Sequence, residues 1–515
     1  MTADWPFFVT TPIYYVNDAP HLGHAYTTVA CDVLARFMRL DGRRVKFLTG
    51  TDEHGQKVEQ SARLAGVSPQ QFTDRISEAF RDMTRLLDIS NDDFIRTTEP
   101  RHVRGVQVLW QELERRGEIY LGQFAGWYSV RDEAFYDESE LVEGPTGPRA
   151  PTGAEVEWLE EENYFFRLSA WQDRLLAYYD ADPDTVAPRS RRNEVVSFVK
   201  AGLRDLSISR TSFSWGIPVP GNPDHVIYVW LDALANYITA AGYPDTESPE
   251  FSTFWPADVH VVGKDIVRFH AVYWPAFLMA AGLEPPRRVF AHGWWTVEGQ
   301  KMSKSLNNFV SPKKLVDTYG LDPVRYFLLR ELPFGSDGDF SHRAVVGRLN
   351  SDLANDLGNL AQRVLVMINR NCDGGVPDPG ELGAGDTALL NSARSLLGTV
   401  RGHIAEQAFH LALEAIWRVV GEANRYVDDQ APWALSRSDP ARMRTVLYTL
   451  AEMLRHLAIL VQPFVPGAAG KLLDQLAVPQ TARDFVAFAA APLTPGTRLP
   501  KPEGIFPRFV EEAAG

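Results

Sequence analysis

Four lysines lie close together in the second half of a chain that otherwise takes its positive charge from arginine. The sequence contains 10 lysines and 42 arginines, and Lys301, Lys304, Lys313 and Lys314 fall within fourteen residues. A lysine ammonium is a compact charge on a flexible stem, whereas arginine is a planar fork suited to fixed bidentate pairing. Such mobile charges are suited to neutralising a polyphosphate as it reacts. Taken alone, the cluster fits equally well an exposed loop of solvated lysines.

Two histidines flank a glycine in the tetrapeptide HLGH at residues 21–24. The β-branched and aromatic run Pro6–Val16 predicts a buried strand, and Asn17–Pro20 supplies a capping residue and a proline for a first helical turn. The histidines therefore lie where a strand passes into a helix N-terminus, a position that favours a phosphate, and Gly23 leaves room for it. Either histidine alone fits a surface or capping residue. The pair, matched with the lysine cluster, is interpreted as a set of phosphate ligands.

Strands and helices alternate over residues 1–117, which indicates one continuous α/β region. Arg44–Thr49 reads as a second buried strand, and a helix is predicted from Gln56 onward. This alternation predicts an α/β, Rossmann-type, doubly wound parallel sheet, in which ligands bind at the carboxyl ends of the strands. The HLGH turn and Asp52 both occupy such ends. By position alone, Asp52 and Glu53 also fit helix-capping acids.

The alternation of strands and helices is interrupted over residues 118–214. Gly126–Val130 and Glu133–Tyr136 predict short antiparallel strands, and 144–153 predicts a loop rich in proline and glycine. These residues include no cysteine, although tetrahedral structural zinc needs four nitrogen or sulfur ligands. We therefore expect this region to hold no zinc.

The alternation of strands and helices resumes over residues 215–342. His225–Leu231 and Asp258–Val262 predict strands. Four residues are spaced to share one helical face, a pattern that on its own is typical of a core: Trp230, Ala233, Leu234 and Tyr237.

From residue 343 to residue 515 the pattern is helical. Apolar residues step by three and four from Val346 to Met367, and further helices are predicted near 386–401, 406–428 and 441–460, which together indicate an antiparallel bundle. Asn359 and Arg363 lie four residues apart, so both side chains can reach one ligand. Spacing alone favours a plain polar helix face.

The bulk properties indicate a soluble intracellular protein. Two cysteines give no disulfide framework, the N-terminus lacks a signal peptide pattern, and the apolar stretches are too short to span a bilayer. The net charge of −14 does not by itself suggest RNA binding, so an RNA partner requires local basic patches.

HLGH followed far downstream by KMSKS at 301–305 resembles the class I aminoacyl-tRNA synthetases. Five further stretches narrow the resemblance to the methionyl-tRNA synthetases: 10–17, 49–55, 228–233, 263–266 and 429–433. The resemblance implies that residues 118–214 are a connective insert splitting the catalytic domain, that 215–342 carries the KMSKS loop and a stem-contact region, and that 343–515 is an all-α anticodon-binding bundle with a C-terminal tail.

The resemblance also implies roles for individual residues. His21, His24, Lys301 and Lys304 would be catalytic. The ATP site would comprise His21, Gly23, His24, Gly293, Lys301, Met302, Ser303, Lys304 and Ser305. Asp52 would hold the substrate ammonium in a methionine site that also contains Ile13, Tyr14, Trp230, Ala233, Leu234, Tyr237, Ile266 and His270. Leu234 stands where the family often has proline. The anticodon would be read by Asn359, Arg363 and Trp433.

The implied activity is ATP-dependent attachment of methionine to its tRNA, initiator and elongator, through methionyl-adenylate. ATP with Mg²⁺, no structural zinc, a monomeric state, cytoplasmic location and no membrane partner are expected. Synthetases for branched-chain amino acids need an editing insert for which the chain has no room, and a cysteine enzyme of this type needs cysteine zinc ligands. A non-catalytic RNA-binding paralogue is the alternative, and intact HLGH and KMSKS argue against it. An adenylate-forming enzyme without tRNA would leave the anticodon residues unexplained.

Overall fold

A computed structural model describes residues 5–17, 19–132, 134–136, 138–144, 147–301 and 309–510. The chain forms two compact units. One consists of Pro6–Cys31 and Val45–His292, and the other of Asp32–Arg44 and the chain from Gly293 onward. The helix Leu22–Leu40 contributes residues to both.

A seven-stranded sheet forms the centre of the first unit. Its pairs are parallel where Pro6–Thr10 meets Val259–Gly263, where that strand meets Val289–His292, and where Arg44–Asp52 meets Tyr14–Tyr15 and Asp93–Arg96. The order along the sheet is Val186–Ala187, Val289–His292, Val259–Gly263, Pro6–Thr10, Arg44–Asp52, Tyr14–Tyr15, with Asp93–Arg96 also on Arg44–Asp52. The prediction of a parallel α/β sheet is confirmed.

Helices accompany the strands of this sheet. They are Gln56–Leu64, Pro69–Leu86, Pro100–Arg115, Gln172–Ala181, Arg189–Lys200, Val229–Leu234, Asn236–Ala240, Pro249–Phe254 and Trp274–Ala281. One large apolar cluster joins the sheet to these helices, with Phe8, Leu48, Trp110 and Trp274 fully buried in it. Burial of a side chain of this size contributes roughly 1.5–3 kcal/mol.

The first predicted strand is divided in two. Extended backbone over Pro6–Thr10 resumes only at Tyr14–Tyr15, because Pro12 lacks the N–H that a continuous ladder requires. The following helix begins at Leu22, so Pro20 lies before it rather than in its first turn. His21 therefore immediately precedes the helix.

The insert is built on a long antiparallel ribbon. Ile119–Ser129 pairs with Glu157–Phe166 in continuous register from Ile119 with Phe166 to Tyr128 with Glu157. Shorter strands complete the antiparallel parts: Ala134–Tyr136, Val142–Gly144, Gly147–Arg149, Leu206–Ser207, Ser209–Arg210, Pro218–Val219 and Asn222–Ile227. The predicted strands near Gly126 and Glu133 lie in this region. The glutamate-rich residues 157–162 form the first part of the strand Glu157–Phe166. Pairing with Ile119–Ser129 overrides the weak strand propensity of glutamate.

The strand predicted over His225–Leu231 is wrong in its second half. Extended backbone ends at Ile227 and a helix begins at Val229. The strand Asn222–Ile227 also belongs to a three-stranded antiparallel sheet and not to the central sheet. A continuous apolar run gives no periodic signal by which this change could be located. The strand predicted at Asp258–Val262 is present as Val259–Gly263.

The second unit is mainly helical. It contains a small sheet of Trp295–Val297, Gln300–Lys301 and Gly338–Phe340. Two helices, Pro312–Tyr319 and Leu321–Arg330, lie between the second and third of these strands. The helices after the sheet are His342–Arg348, π-helical Leu349–Gly358, Asn359–Asn371, Ala384–Ala405, Phe409–Gln430, Pro432–Ser438, Pro440–Val461, Pro466–Gln475 and Phe485–Ala490. The predicted helical bundle is therefore confirmed. Near the end of the chain, Phe509 exchanges two hydrogen bonds with Asn350. Among the described helices, none has both the length and the apolar character needed to cross a bilayer.

Candidate active site

The two histidines of HLGH lie face to face at the start of the helix Leu22–Leu40. Their ring centroids are 3.8 Å apart and the ring planes differ by 29°. The His21 backbone N–H donates to Nδ1 of His24 (3.2 Å), and the Gly23 N–H donates to Nδ1 of His21 (3.1 Å). Local backbone groups thus fix both imidazole rings.

These hydrogen bonds determine where the ring hydrogens lie. A nitrogen that accepts a hydrogen bond carries no hydrogen, and a neutral imidazole has one N–H. His21 and His24 therefore both carry their hydrogen on Nε2. Burial, assisted by the neighbouring His21, holds the pKa of His24 well below its usual value. The pair consequently presents two neutral N–H donors, a group suited to phosphate oxygens.

Gly23 lies close to the ring of His21. A Cβ at this position would lie 3.0 Å from Cε1 and 3.2 Å from Nδ1 of His21. The sequence predicted that this glycine leaves room for a phosphate; in the structure it leaves room for the imidazole ring of His21.

Tyr14 connects the HLGH helix with the strand pair at the edge of the sheet. Its ring stacks on Phe80 and meets the edge of His24 at 4.8 Å. Its hydroxyl lies 2.6 Å from the Thr28 hydroxyl, which donates to the His24 carbonyl. Burial raises the pKa of Tyr14, so this hydroxyl stays neutral.

Asp52 ends the strand Arg44–Asp52 and is paired in register with Tyr15. Its side chain is buried. The neighbouring Glu53 is fully buried and its carboxylate is bound by both branches of the Arg96 guanidinium (2.6 and 2.8 Å) and by two threonine hydroxyls. The oxygens of Glu53 are thus taken up by internal partners.

The remaining residues that were predicted to bind methionine belong to the apolar cluster or pack against it. Tyr237 and Leu234 are buried in the cluster, Ala233 is buried beside them in sequence, and Ile13, Trp230 and Ile266 pack against the cluster while partly exposed. Trp230 stacks on Phe269 at 3.7 Å with an interplanar angle of 7° and meets the edge of His270. The four residues predicted on one helical face divide between Val229–Leu234 and Asn236–Ala240.

His270 lies in a π-helical turn, Phe269–Tyr273, a distortion common at functional sites. Burial lowers the pKa of His270 to about 4, so the ring is neutral. Its Nδ1 lies 3.0 Å from the Ile266 carbonyl, which can only accept, and its Nε2 lies 2.8 Å from the Tyr237 hydroxyl. Nδ1 therefore carries the hydrogen and Tyr237 donates to Nε2.

Several residues of this region were not identified from the sequence. Phe80 and Phe269 provide stacking partners, and His260, fully buried, stacks on Tyr237 at 4.0 Å. Nδ1 of His260 lies 2.8 Å from the Thr10 hydroxyl. The only available signal was the unusual presence of a histidine in the buried strand Val259–Gly263.

The lysine motif belongs to the second unit. The Lys301 backbone pairs with Thr296 in the small sheet. Met302, Ser303, Lys304 and Ser305 lie outside the described residues. The Gly293 N–H donates to the Phe334 carbonyl, and a Cβ on Gly293 would lie 2.1 Å from the carbonyl oxygen of Ser336, so only glycine fits.

The predicted anticodon residues lie together on the helical part of the second unit. Arg363 forms an ion pair with Asp428 (2.8 Å), and its guanidinium lies 5.5 Å from the Trp433 ring centroid. Trp433 is 51% exposed, and Asn359 is exposed one helical turn before Arg363. An exposed indole beside a guanidinium is suited to stacking on an unpaired base.

Within the ranges that the structure describes, no group of three or more His, Cys, Asp or Glu side chains is arranged to hold a metal ion. The absence of structural zinc stays a prediction.

Two family models match nearly the whole chain. The model for class I tRNA synthetases (M) matches residues 7–155 and 146–365, and the model for the anticodon binding domain of methionyl tRNA ligase matches residues 376–514.

Curated relatives and solved structures agree with these models. The methionine–tRNA ligase of Mesorhizobium japonicum is 60% identical, covering 98% of each chain, and that of Rhizobium meliloti is 56% identical, covering 99% of each. The methionyl-tRNA synthetase of Mycobacterium tuberculosis, solved in complex with methionyl-adenylate, superposes with a TM-score of 0.96 at 56% identity, covering 98% of this chain and 100% of that chain.

Proposed function

The chain belongs to the class I methionyl-tRNA synthetases, and on that premise we propose which of its residues act at each step. The reaction has two steps. The methionine carboxylate attacks the α-phosphate of ATP to give methionyl-adenylate and pyrophosphate, and a terminal ribose hydroxyl of the tRNA then takes the methionyl group and releases AMP. Neither step needs a protein nucleophile, so positioning and electrostatic stabilisation must supply the catalysis.

His21 and His24 act as donors to the phosphates near the reacting α-phosphorus. Their stacked rings, each with its hydrogen on Nε2, lie at the first turn of a helix, where the backbone dipole adds to the attraction for an anion. This arrangement of the two rings is the observation that carries the proposal. Because Nδ1 of each ring accepts a hydrogen bond from a backbone N–H, each ring can present its Nε2–H to a phosphate oxygen.

Lys301 and Lys304 neutralise the departing pyrophosphate, and the rest of the KMSKS motif with Gly293 completes the ATP site. Mg²⁺ enters with ATP as part of the substrate, held by the polyphosphate, and shares this charge.

Methionine binds with its ammonium at Asp52 and its side chain among the aromatic residues. Asp52 is buried at the end of the strand Arg44–Asp52, and we assign the substrate ammonium to its carboxylate, whereas the neighbouring Glu53 is bound by Arg96. The thioether is a soft group that packs well against aromatic rings. The pocket is formed by Ile13, Tyr14, Trp230, Ala233, Leu234, Tyr237, Ile266 and His270.

The tRNA contacts are supported by the anticodon-domain match and the exposed Trp433. Trp433, Arg363 and Asn359 read the anticodon of both initiator and elongator tRNA. We divide the chain at residues 117, 214 and 342 into two catalytic halves, the insert and the anticodon-binding bundle with its tail. A monomer in the cytoplasm fits the acidic charge and the two cysteines.

The test of this proposal is amino-acid-dependent ATP–pyrophosphate exchange, measured without tRNA and with each of the twenty amino acids in turn. Exchange is expected with methionine alone. His24→Gln keeps an N–H near the Nε2 position, whereas His24→Asn places it near Nδ1, so Gln should retain about tenfold more exchange than Asn. Equal activities of the two variants would contradict the Nε2 assignment, and exchange with another amino acid would overturn the pocket.

A further inference from the structure

A buried carboxylate lies between two histidines in the first unit. Asp232 Oδ2 lies 2.6 Å from Nδ1 of His54, and Oδ1 lies 2.7 Å from Nε2 of His102. Asp232 and His102 are inaccessible to solvent and His54 is nearly so. The other nitrogen of His102 lies 3.0 Å from the Thr239 hydroxyl. Nothing in the assigned ATP, methionine or anticodon sites includes these side chains.

The carboxylate is held in its ionised form. Burial alone would raise the pKa of Asp232, but the imidazoles of His54 and His102 outweigh it, and the pKa lies below its usual value. A buried carboxylate is stable only when its oxygens are bound by donors, and each oxygen here has one imidazole N–H. Removing either donor therefore leaves a buried charge that must move or be protonated.

The chain segments that meet at Asp232 are those that carry the two halves of the amino-acid site. His54 follows Asp52 by two residues, and its ring also meets the edge of Trp215, whose indole N–H donates to the Glu53 carbonyl (2.6 Å). Asp232 itself lies in the helix Val229–Leu234, between Trp230 and Ala233. The His54–Asp232 bond thus joins the strand end that bears the ammonium ligand to the helix that bears the side-chain pocket.

His102 holds the second oxygen of the Asp232 carboxylate. It belongs to the helix Pro100–Arg115, which is neither the strand end nor the pocket helix, and through Thr239 it also contacts the helix Asn236–Ala240 that carries Tyr237. The Thr239 hydroxyl lies 3.1 Å from the Asn236 carbonyl, to which it can donate. The carboxylate is therefore held from two directions, and its position does not depend on one flexible contact.

We propose that Asp232, clamped by His54 and His102, is a positioning residue that sets the separation between the ammonium ligand Asp52 and the methionine side-chain pocket. The inference rests on the proposed role of Asp52. Because the ammonium and the side chain are held throughout the reaction, a change in their separation weakens ground state and transition state alike. The effect therefore falls on the KM for methionine more than on kcat, and leaves the KM for ATP unchanged.

The test is the steady-state kinetics of ATP–pyrophosphate exchange on full-length variants. Asp232→Asn keeps the shape but can accept from only one imidazole, and His54→Leu removes the donor; both should raise the methionine KM by about tenfold or more, with the KM for ATP within about twofold of the parent. His54→Asn restores an amide N–H near the Nδ1 position and should recover most of the methionine KM. Rescue by Asn but not by Leu is a result that a merely structural role would not produce.

A matched control is available in the second unit. Glu452 is a buried carboxylate bound by Arg455 and close to His456, and its oxygen also accepts from the Leu493 N–H. Glu452→Gln should lower the melting temperature without changing the methionine KM. If Asp232→Asn and His54→Leu behave like this control, the positioning role is wrong.

Asp52→Asn separates this inference from the proposal on which it rests. A raised methionine KM in Asp52→Asn with an unchanged KM in the Asp232 and His54 variants refutes the positioning role and keeps the ammonium ligand. An unchanged KM in Asp52→Asn refutes the ammonium assignment itself, and the positioning role fails with it. Should Asp232→Asn fail to fold, the His54 pair carries the same comparison.

Discussion

Gly23→Ala is expected to reduce catalysis without reducing stability. The substitution adds a methyl group at the first turn of the helix Leu22–Leu40, where alanine has the better helix propensity, by up to about 1 kcal/mol in a helix interior. The new Cβ would lie 3.0 Å from Cε1 of His21, closer than an ordinary van der Waals contact. The ring must move by a few tenths of an ångström, roughly the tolerance within which a catalytic group remains productive.

The expected loss follows from this displacement. Moving His21 breaks the alignment of its Nδ1 with the Gly23 N–H. It also changes how the His21 ring stacks on the His24 ring. A 1 Å misplacement of a catalytic group costs about 100-fold, so a shift of a few tenths of an ångström should lower kcat for exchange about 3- to 10-fold, equivalent to roughly 0.7–1.4 kcal/mol.

The assay is methionine-dependent ATP–pyrophosphate exchange together with thermal unfolding. Gly398→Ala is the matched control, because Gly398 lies within the helix Ala384–Ala405 and a Cβ there meets nothing within 4 Å. It should gain about 0.5–1 kcal/mol of stability and keep full activity. Exchange by Gly23→Ala within about twofold of the parent would refute the reasoning that the glycine serves the histidine pair.

Two further predictions concern the side-chain pocket and the anticodon site. Because burial lowers the pKa of His270 to about 4, the methionine KM should stay constant between about pH 8 and about pH 6, and a rise that follows an ordinary histidine pKa near 6.5 would contradict the neutral ring. The unfolded chain binds more protons than the folded chain between these two pKa values, so the contribution of His270 to stability is complete above about pH 6.5 and is lost as the pH falls toward 4. Trp433→Ala should lower kcat/KM for tRNA about 10- to 100-fold while exchange without tRNA is unchanged, since stacking of one base on an aromatic ring contributes roughly 1–3 kcal/mol. A parallel loss of exchange would show that the substitution damages the fold instead.

The sequence was sufficient for the fold class and for the place of HLGH in it. The parallel sheet, the helical second half and the placement of HLGH at the start of a helix all follow from local periodicity and from end signals. The start of that helix at Leu22 could not be predicted from the sequence, because Pro20 fits both a first helical turn and the residues before a helix.

Contacts between distant residues could not be read from the sequence in this way. His54 and His102 are 178 and 130 residues from Asp232, and no local pattern pairs them. The acidic strand Glu157–Phe166 has little strand propensity and is specified by its partner Ile119–Ser129. The locations of the ring hydrogens on His21, His24 and His270 likewise depend on neighbours that only the fold provides.

The hydrogen bonds in the proposed methionine side-chain pocket have a consequence for the choice of amino acid. Tyr237 donates to His270, His270 donates to the Ile266 carbonyl, and the Tyr14 hydroxyl is engaged with Thr28. An amino acid whose side chain carries an amide or a hydroxyl would have to break one of these bonds or bury its own group without a partner, at a cost of about 1–3 kcal/mol. A straight hydrocarbon side chain of the length of methionine meets no such penalty and loses little contact. Mischarging by this enzyme should therefore involve apolar analogues of methionine rather than polar ones.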